Sequence, residues 1–236
     1  MGKIFRYECR RLLWNKFFIG LAVVLLLYGA FVLHTVTILG VAHTAPFSSW
    51  SFGDYLSRMM PLLWIGMLFF LTFYTSPQAR RAAIRMDATP IPPKQYALAR
   101  CAAALTGGAL LTLLCMVEAA VFYGRMFHWY SWGSLLLPAL VTLLPTLVFA
   151  LGSGWLAGQI RPWLVYVWMA VPFLCMALPL PDALGIWNGH FFSKYPLALG
   201  TLDPAFSMPA AVLIVQCALF AVGVVLLMIR PAHSKR

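Results

Sequence analysis

Glu118 is the acid to start from, because it falls inside a long apolar run of this 236-residue chain. A carboxylate in lipid-like surroundings is costly, so it is expected to meet a cation, face a wet cavity, or handle substrate or protons directly. Arg125 lies seven residues on, on the same helical face, and Arg58 is a second cation toward that side. Glu118 and Arg125 are therefore the candidate intramembrane polar site, with all three roles open. His34, His43, His128 and His190 gather toward the same side with Met59, Met60 and Met126, soft ligands that would suit copper. No ligand pair stands one helical turn apart, and no metal is assigned. The five cysteines, Cys9, Cys101, Cys115, Cys175 and Cys217, lack CxxC spacing and imply no disulfide framework. Gly-x-Ser-x-Gly and His-Glu-x-x-His do not occur. Nor does G-x-x-x-x-G-K-[ST]; the nearest run, GSGWLAG, has no lysine. The sequence thus names no catalytic residue and no cofactor held by this chain.

The elements that must carry these residues read as membrane spans. The chain is 62% hydrophobic and 10% charged, against about 45–50% and about a quarter in soluble domains. Its apolar residues come in six blocks, roughly Phe17–Ile38, Met59–Tyr74, Cys101–Gly124, Leu135–Gly158, Trp163–Leu180 and Ala210–Ile229. The second is short and is expected to begin nearer Tyr55. Most suffice for a hydrocarbon core of ~30 Å, and nothing alternates like a barrel strand. The expected fold is an all-α integral membrane protein forming one domain: an interfacial helix over 1–16, a six-span bundle over 17–229 and a tail over 230–236.

Fourteen cations fall at the N-terminus, the even gaps and the tail, and three (Arg58, Arg125, Lys194) in the odd gaps. That bias places both termini in the cytoplasm, in a multi-pass cell (inner) membrane protein. The net charge of +11 is then a topology signal and calls for no nucleic acid. Gly40-Val41-Ala42 weakly resembles a cleavage site, but the apolar run before it is too long, and the first span is read as uncleaved. Before that span, Phe5, Cys9, Leu12 and Leu13 share one helical face and Lys3, Arg6 and Arg10 another. This suits a helix on membrane lipid, or a plain basic flank that sets orientation. Ala150, Gly154 and Gly158 form a small-residue stripe for helix packing, as do Ala104 and Gly108. Pro138, Pro145 and Pro172 are expected to kink their spans. The last outer loop, rich in aromatics, suggests short helices in or dipping into the interface.

The segment TSPQARRAAIRMDATPIPPKQYALAR, Thr75 to Arg100, interrupts this apolar chain with five cations and four prolines. Ser76-Pro77 is a good helix start. Two turns follow, DATPIPP stops them, and Pro93 begins the next helix. Arg81 and Arg85 lie on one side of the short helix and Met86 on another, so it offers both charge and apolar contact; the plainer reading is a loop made basic by topology. The segment resembles the cytoplasmic loop of type-2 ABC exporter permeases, where a basic helix precedes a TP turn. Asp87-Ala88-Thr89-Pro90-Ile91, Tyr96 and Arg100 carry the match, while Gln78 and IRMD replace a Glu and a Gly-Thr-Leu/Ile-Glu run common in that family. The resemblance implies a coupling helix, with Arg80, Arg81, Ile84, Arg85, Met86 and Asp87 as the contact to a separate ABC ATPase subunit. Two copies of that subunit would bind the ATP and Mg, and a second permease subunit, identical or related, would complete the pathway.

Aromatic and Met residues on the spans (Trp64, Met67, Phe69, Phe70, Phe73, Tyr166, Trp168, Phe173) suit a hydrophobic or amphipathic cargo such as a lipid, drug or antimicrobial peptide. Lipid contact and packing are the bland alternative for each. The expected function is the permease subunit of an ATP-driven exporter. A non-transporting sensor or immunity subunit and an intramembrane enzyme are the alternatives.

Overall fold

A computed structural model of the chain describes residues 2–75, 93–178 and 180–229. The ordered elements among them are all helical, and five helices are long and apolar enough to cross a membrane. The protein is an all-α multi-pass membrane protein.

Helix α1 (Gly2–Leu13) ends beside Asn15, whose side chain accepts the Phe17 N–H at 3.1 Å and caps α2 (Lys16–Thr35). Helix α1 forms where the sequence places it, but with a different inward face. Glu8 and Leu12 are buried and Ile4 half-buried, while Phe5 is exposed, so the helix presents Ile4–Glu8–Leu12 to α4 (Pro93–Phe127). After a short 3-10 turn, Thr37–Leu39, Gly40 takes φ 70, a conformation that favours glycine. Ser48 then caps α3 (Ser49–Thr75) by accepting the Ser51 N–H at 3.2 Å.

Helix α3 is the centre of the bundle. It begins well before the expected Tyr55, which brings Asp54 into a long helix, where it pairs with Arg58, rather than into a loop. Trp50, Phe52, Tyr55, Met59, Trp64, Met67 and Phe70 are all buried on it, and α2, α4, α5 and α6 pack around it. Here α4 is Pro93–Phe127, α5 is Gly133–Ile160 and α6 is Leu164–Met169. The expected small-residue stripe is the α5 surface against α3: Gly154 faces Leu68 and Leu71, and Gly158 faces Thr75. Gly108 of α4 likewise makes room for Met67. In lipid this close approach, with its van der Waals contact, replaces the hydrophobic drive available in water. Gly152, on another face of α5, meets Gly223 of α9 (Ala210–Met228), which packs almost wholly on α5.

The expected span Trp163–Leu180 takes a shorter, broken form among the described residues. It consists of α6 and α7 (Val171–Ala177), and the whole run Leu164–Ala177 falls in the shorter class of apolar helices. At 1.5 Å per residue it covers about 21 Å, less than the ~30 Å core. The helix breaks at Ala170, and Pro172, which has no N–H to give, opens α7. Pro138 and Pro145 do not break α5, which runs on through both while held by α3, α4 and α9.

Beyond α7 the chain folds back into the bundle. Trp187 packs on Trp64 and Phe149, ring centroids 5.4 and 6.2 Å away. Helix α8 (His190–Ala198) then runs along the start of α3, with Phe192 against Gly53 and the Tyr195 ring tilted against Trp50, centroids 5.8 Å apart. Irregular backbone is tolerated at such a place because protein, not lipid, surrounds it.

Candidate functional site

At one end of the bundle α1, the last turn of α3 and the first turns of α4 converge on a buried charge. This is the basic end, since α1 carries Lys3, Arg6, Arg10 and Arg11. Glu8 is 1% exposed and Arg100 7%. Their closest atoms are 3.8 Å apart, and the Tyr96 hydroxyl bridges them: it donates to Glu8 Oε1 at 3.0 Å and accepts from Arg100 Nη2 at 2.8 Å. The Arg100 guanidinium also lies 4.0 Å from the Tyr96 ring centre and 5.2 Å from that of Tyr74. Arg11 adds a second, longer approach to Glu8 at 3.9 Å. Burial raises the pKa of the Tyr96 hydroxyl above the ordinary phenol range; Arg100 opposes this and Glu8 adds to it. Tyr96 therefore keeps its proton as the bridge donor. Burial likewise raises the neighbouring Cys9 thiol, so Cys9 is a packed thiol rather than a reactive thiolate.

This knot joins three elements that the sequence leaves separate. Tyr74 belongs to the helix leaving toward position 76, Tyr96 and Arg100 to the helix returning from position 92, and Glu8 to α1. Two of its members, Tyr96 and Arg100, are residues on which the family resemblance rests. The coupling candidates Arg80, Arg81, Ile84, Arg85, Met86 and Asp87 lie outside the described residues. Glu8 was missed, although its spacing with Ile4 and Leu12 put an acid on an apolar face, and that was the available signal.

Glu118 occupies a second polar point, where α2, α3 and α4 meet. Tyr55 contacts its Oε2 at 3.4 Å and the Cys115 carbonyl at 3.3 Å. Gly29 of α2 leaves the space opposite: a Cβ there would run into the Glu118 carboxyl and come within 3.0 Å of the Tyr55 hydroxyl. Of the three roles left open, pairing with Arg58 or Arg125 is not seen among the described residues. Arg58 binds Asp54 at 2.8 Å, and Arg125 is exposed near the far end of α4. Among the described residues the ion pairs are those of Glu8 and of Asp54.

The aromatic and Met residues of the spans that suit an apolar cargo divide. Trp64, Met67 and Phe70 are core, with the Trp64 indole N–H donating to the Trp168 carbonyl at 3.0 Å and the Trp168 N–H to Ser153 Oγ at 2.8 Å. Tyr166 and Phe173 point outward. Among the described residues no group of three or more His, Cys, Asp or Glu could hold a metal ion.

The fold and these sites define a multi-pass helical membrane protein with a charged knot at one end. Comparison with protein-family models, curated proteins and solved structures finds no match to this chain.

Proposed function

We propose that the chain is the permease subunit of an ATP-driven exporter of the type-2 ABC kind, its basic end in the cytoplasm, carrying a hydrophobic or amphipathic cargo. A separate ATPase chain in two copies supplies hydrolysis, and a second permease, identical or related, completes the pathway. One observation carries the reading: the Glu8–Tyr96–Arg100 bridge, with Tyr74, holds both helices that flank residues 76–92 to each other and to α1. A push delivered to that segment then passes to α3, the core of the bundle, and to α4 together, instead of being absorbed at a loose joint. The basic, proline-punctuated sequence of the segment supplies charge and apolar contact for a partner.

The test is uncoupling. Arg81→Glu with Arg85→Glu, and separately Met86→Asp, should leave membrane levels and melting unchanged while abolishing co-purification of a P-loop ATPase and its cargo-stimulated turnover. Retention of partner and turnover by both variants would reduce the segment to a topology signal and remove the proposal's support.

A further inference from the structure

At the end of the bundle opposite α1, an open cleft of about 280 Å³ lies among the starts of α3 and α5, the turn after α4 and the residues leading into α9. Its walls carry the rings of Phe47, Trp129 and Phe206, several serine hydroxyls including that of Ser131, and one charged side chain, Asp203. Phe47 and Trp129 form a pair with centroids 6.0 Å apart. Asp203 is exposed and accepts the Ala45 N–H through Oδ1 at 3.3 Å. No cation stands within ion-pair range of it among the described residues. The cleft is thus lined by aromatic residues and a single carboxylate, with no basic residue among its walls, in a protein of net charge +11.

We propose that this cleft binds an organic ammonium group, presented by a choline- or ethanolamine-type lipid or by a free amine. Ring faces attract cations through their quadrupoles, and a quaternary ammonium is the cation that gives up least hydration to reach them. Asp203 supplies the opposite charge and repels phosphate or carboxylate ligands lacking an amine. The volume, about 280 Å³, falls just under the range of drug-sized ligand sites, about 300–1,000 Å³, and so suits a headgroup rather than a whole lipid. Its place at the ends of three long helices is the level at which headgroups lie. The site stands whether or not the protein exports anything, so failure of the uncoupling test leaves it untouched.

The full chain in detergent is titrated with choline and with 3,3-dimethylbutan-1-ol, its neutral isostere, by saturation-transfer NMR. In parallel, nanodiscs of mixed phosphatidylcholine and phosphatidylglycerol are examined for the lipid retained on the purified protein. Choline should bind at least tenfold more tightly than the neutral isostere, and Asp203→Asn and Trp129→Leu should each weaken it about tenfold. Ser131→Lys, at an exposed position, puts a competing cation in the cleft while leaving the aromatic residues and Asp203 in place and should abolish binding. Choline binding without lipid preference marks a free amine as the ligand. Retention of phosphatidylcholine, lost in Ser131→Lys, marks the lipid. Equal binding of the isostere, parental behaviour of all three variants, preference for phosphatidylglycerol, or neither choline binding nor lipid retention overturns the proposal.

Discussion

Removing the guanidinium at Arg100 leaves the Glu8 carboxylate, 1% exposed, with Arg11 at 3.9 Å as its remaining cation. A buried pair cut on one side costs more than the pair contributes, because the surviving charge stays desolvated. Arg100→Met should therefore destabilise the bundle by on the order of 3 kcal/mol. Adding Glu8→Gln removes the stranded charge, and the double variant should regain about 1–3 kcal/mol relative to the sum of the singles. Melting of the four proteins in detergent measures the coupling. Simple additivity would mean that the two residues are neighbours without a shared energy. The Tyr96 hydroxyl is the bridge, so Tyr96→Phe should fall between parent and Arg100→Met on the same scale.

The elements are held by where side chains are missing. A Cβ on Gly223 would lie 2.7 Å from the Phe149 nitrogen and 2.8 Å from its Cα, and backbone cannot swing aside as a side-chain tip can. Gly223→Ala should push α9 off α5, its principal support, and cost about 1–3 kcal/mol. Gly133→Ala, with nothing within 4 Å, should stay close to neutral. Equal melting of the two variants would mean that α9 is not seated at this crossing. The spans themselves were legible in the sequence because length and apolarity are local properties. The Ala150–Gly154–Gly158 stripe was legible because one face of one helix carries it. Gly152 was not, since its meaning depends on which helix lies across from it. Pro172 reads like Pro138 and Pro145, yet α5 is clamped on three sides and stays whole, whereas α6–α7 breaks. The inward turn of Trp187 could not be read either, because aromatic loop residues look alike until the core that receives them is known.

At the scale of the molecule the two ends are chemically unlike, and that difference predicts an orientation. The basic end carries Lys3, Arg6, Arg10, Arg11, Lys16, Lys94, Arg100 and Arg161 against Glu8 among the described residues, while the other end has Arg58, Arg125 and Lys194 against Asp54, Asp182 and Asp203. Short basic flanks resist translocation, so the basic end should face the cytoplasm. The structure makes this testable with three exposed positions: Tyr7 on α1, Tyr130 after α4, and Leu202 before α9. The last two must share a side. Trp50 donates to the Pro204 carbonyl at 2.7 Å and Ala45 to Asp203 at 3.3 Å, which ties the approach to α9 to the start of α3. With the five native cysteines replaced, an impermeant maleimide applied to intact cells should label Tyr130→Cys and Leu202→Cys and spare Tyr7→Cys until the membrane is opened. The inverse pattern would put the basic end outside, away from ATP, and with it would go any coupling through residues 76–92. Labelling that separates 130 from 202 would strike deeper, because the α6–α7 segment with its returning loop could then not bring the chain back to the end at which α3 begins.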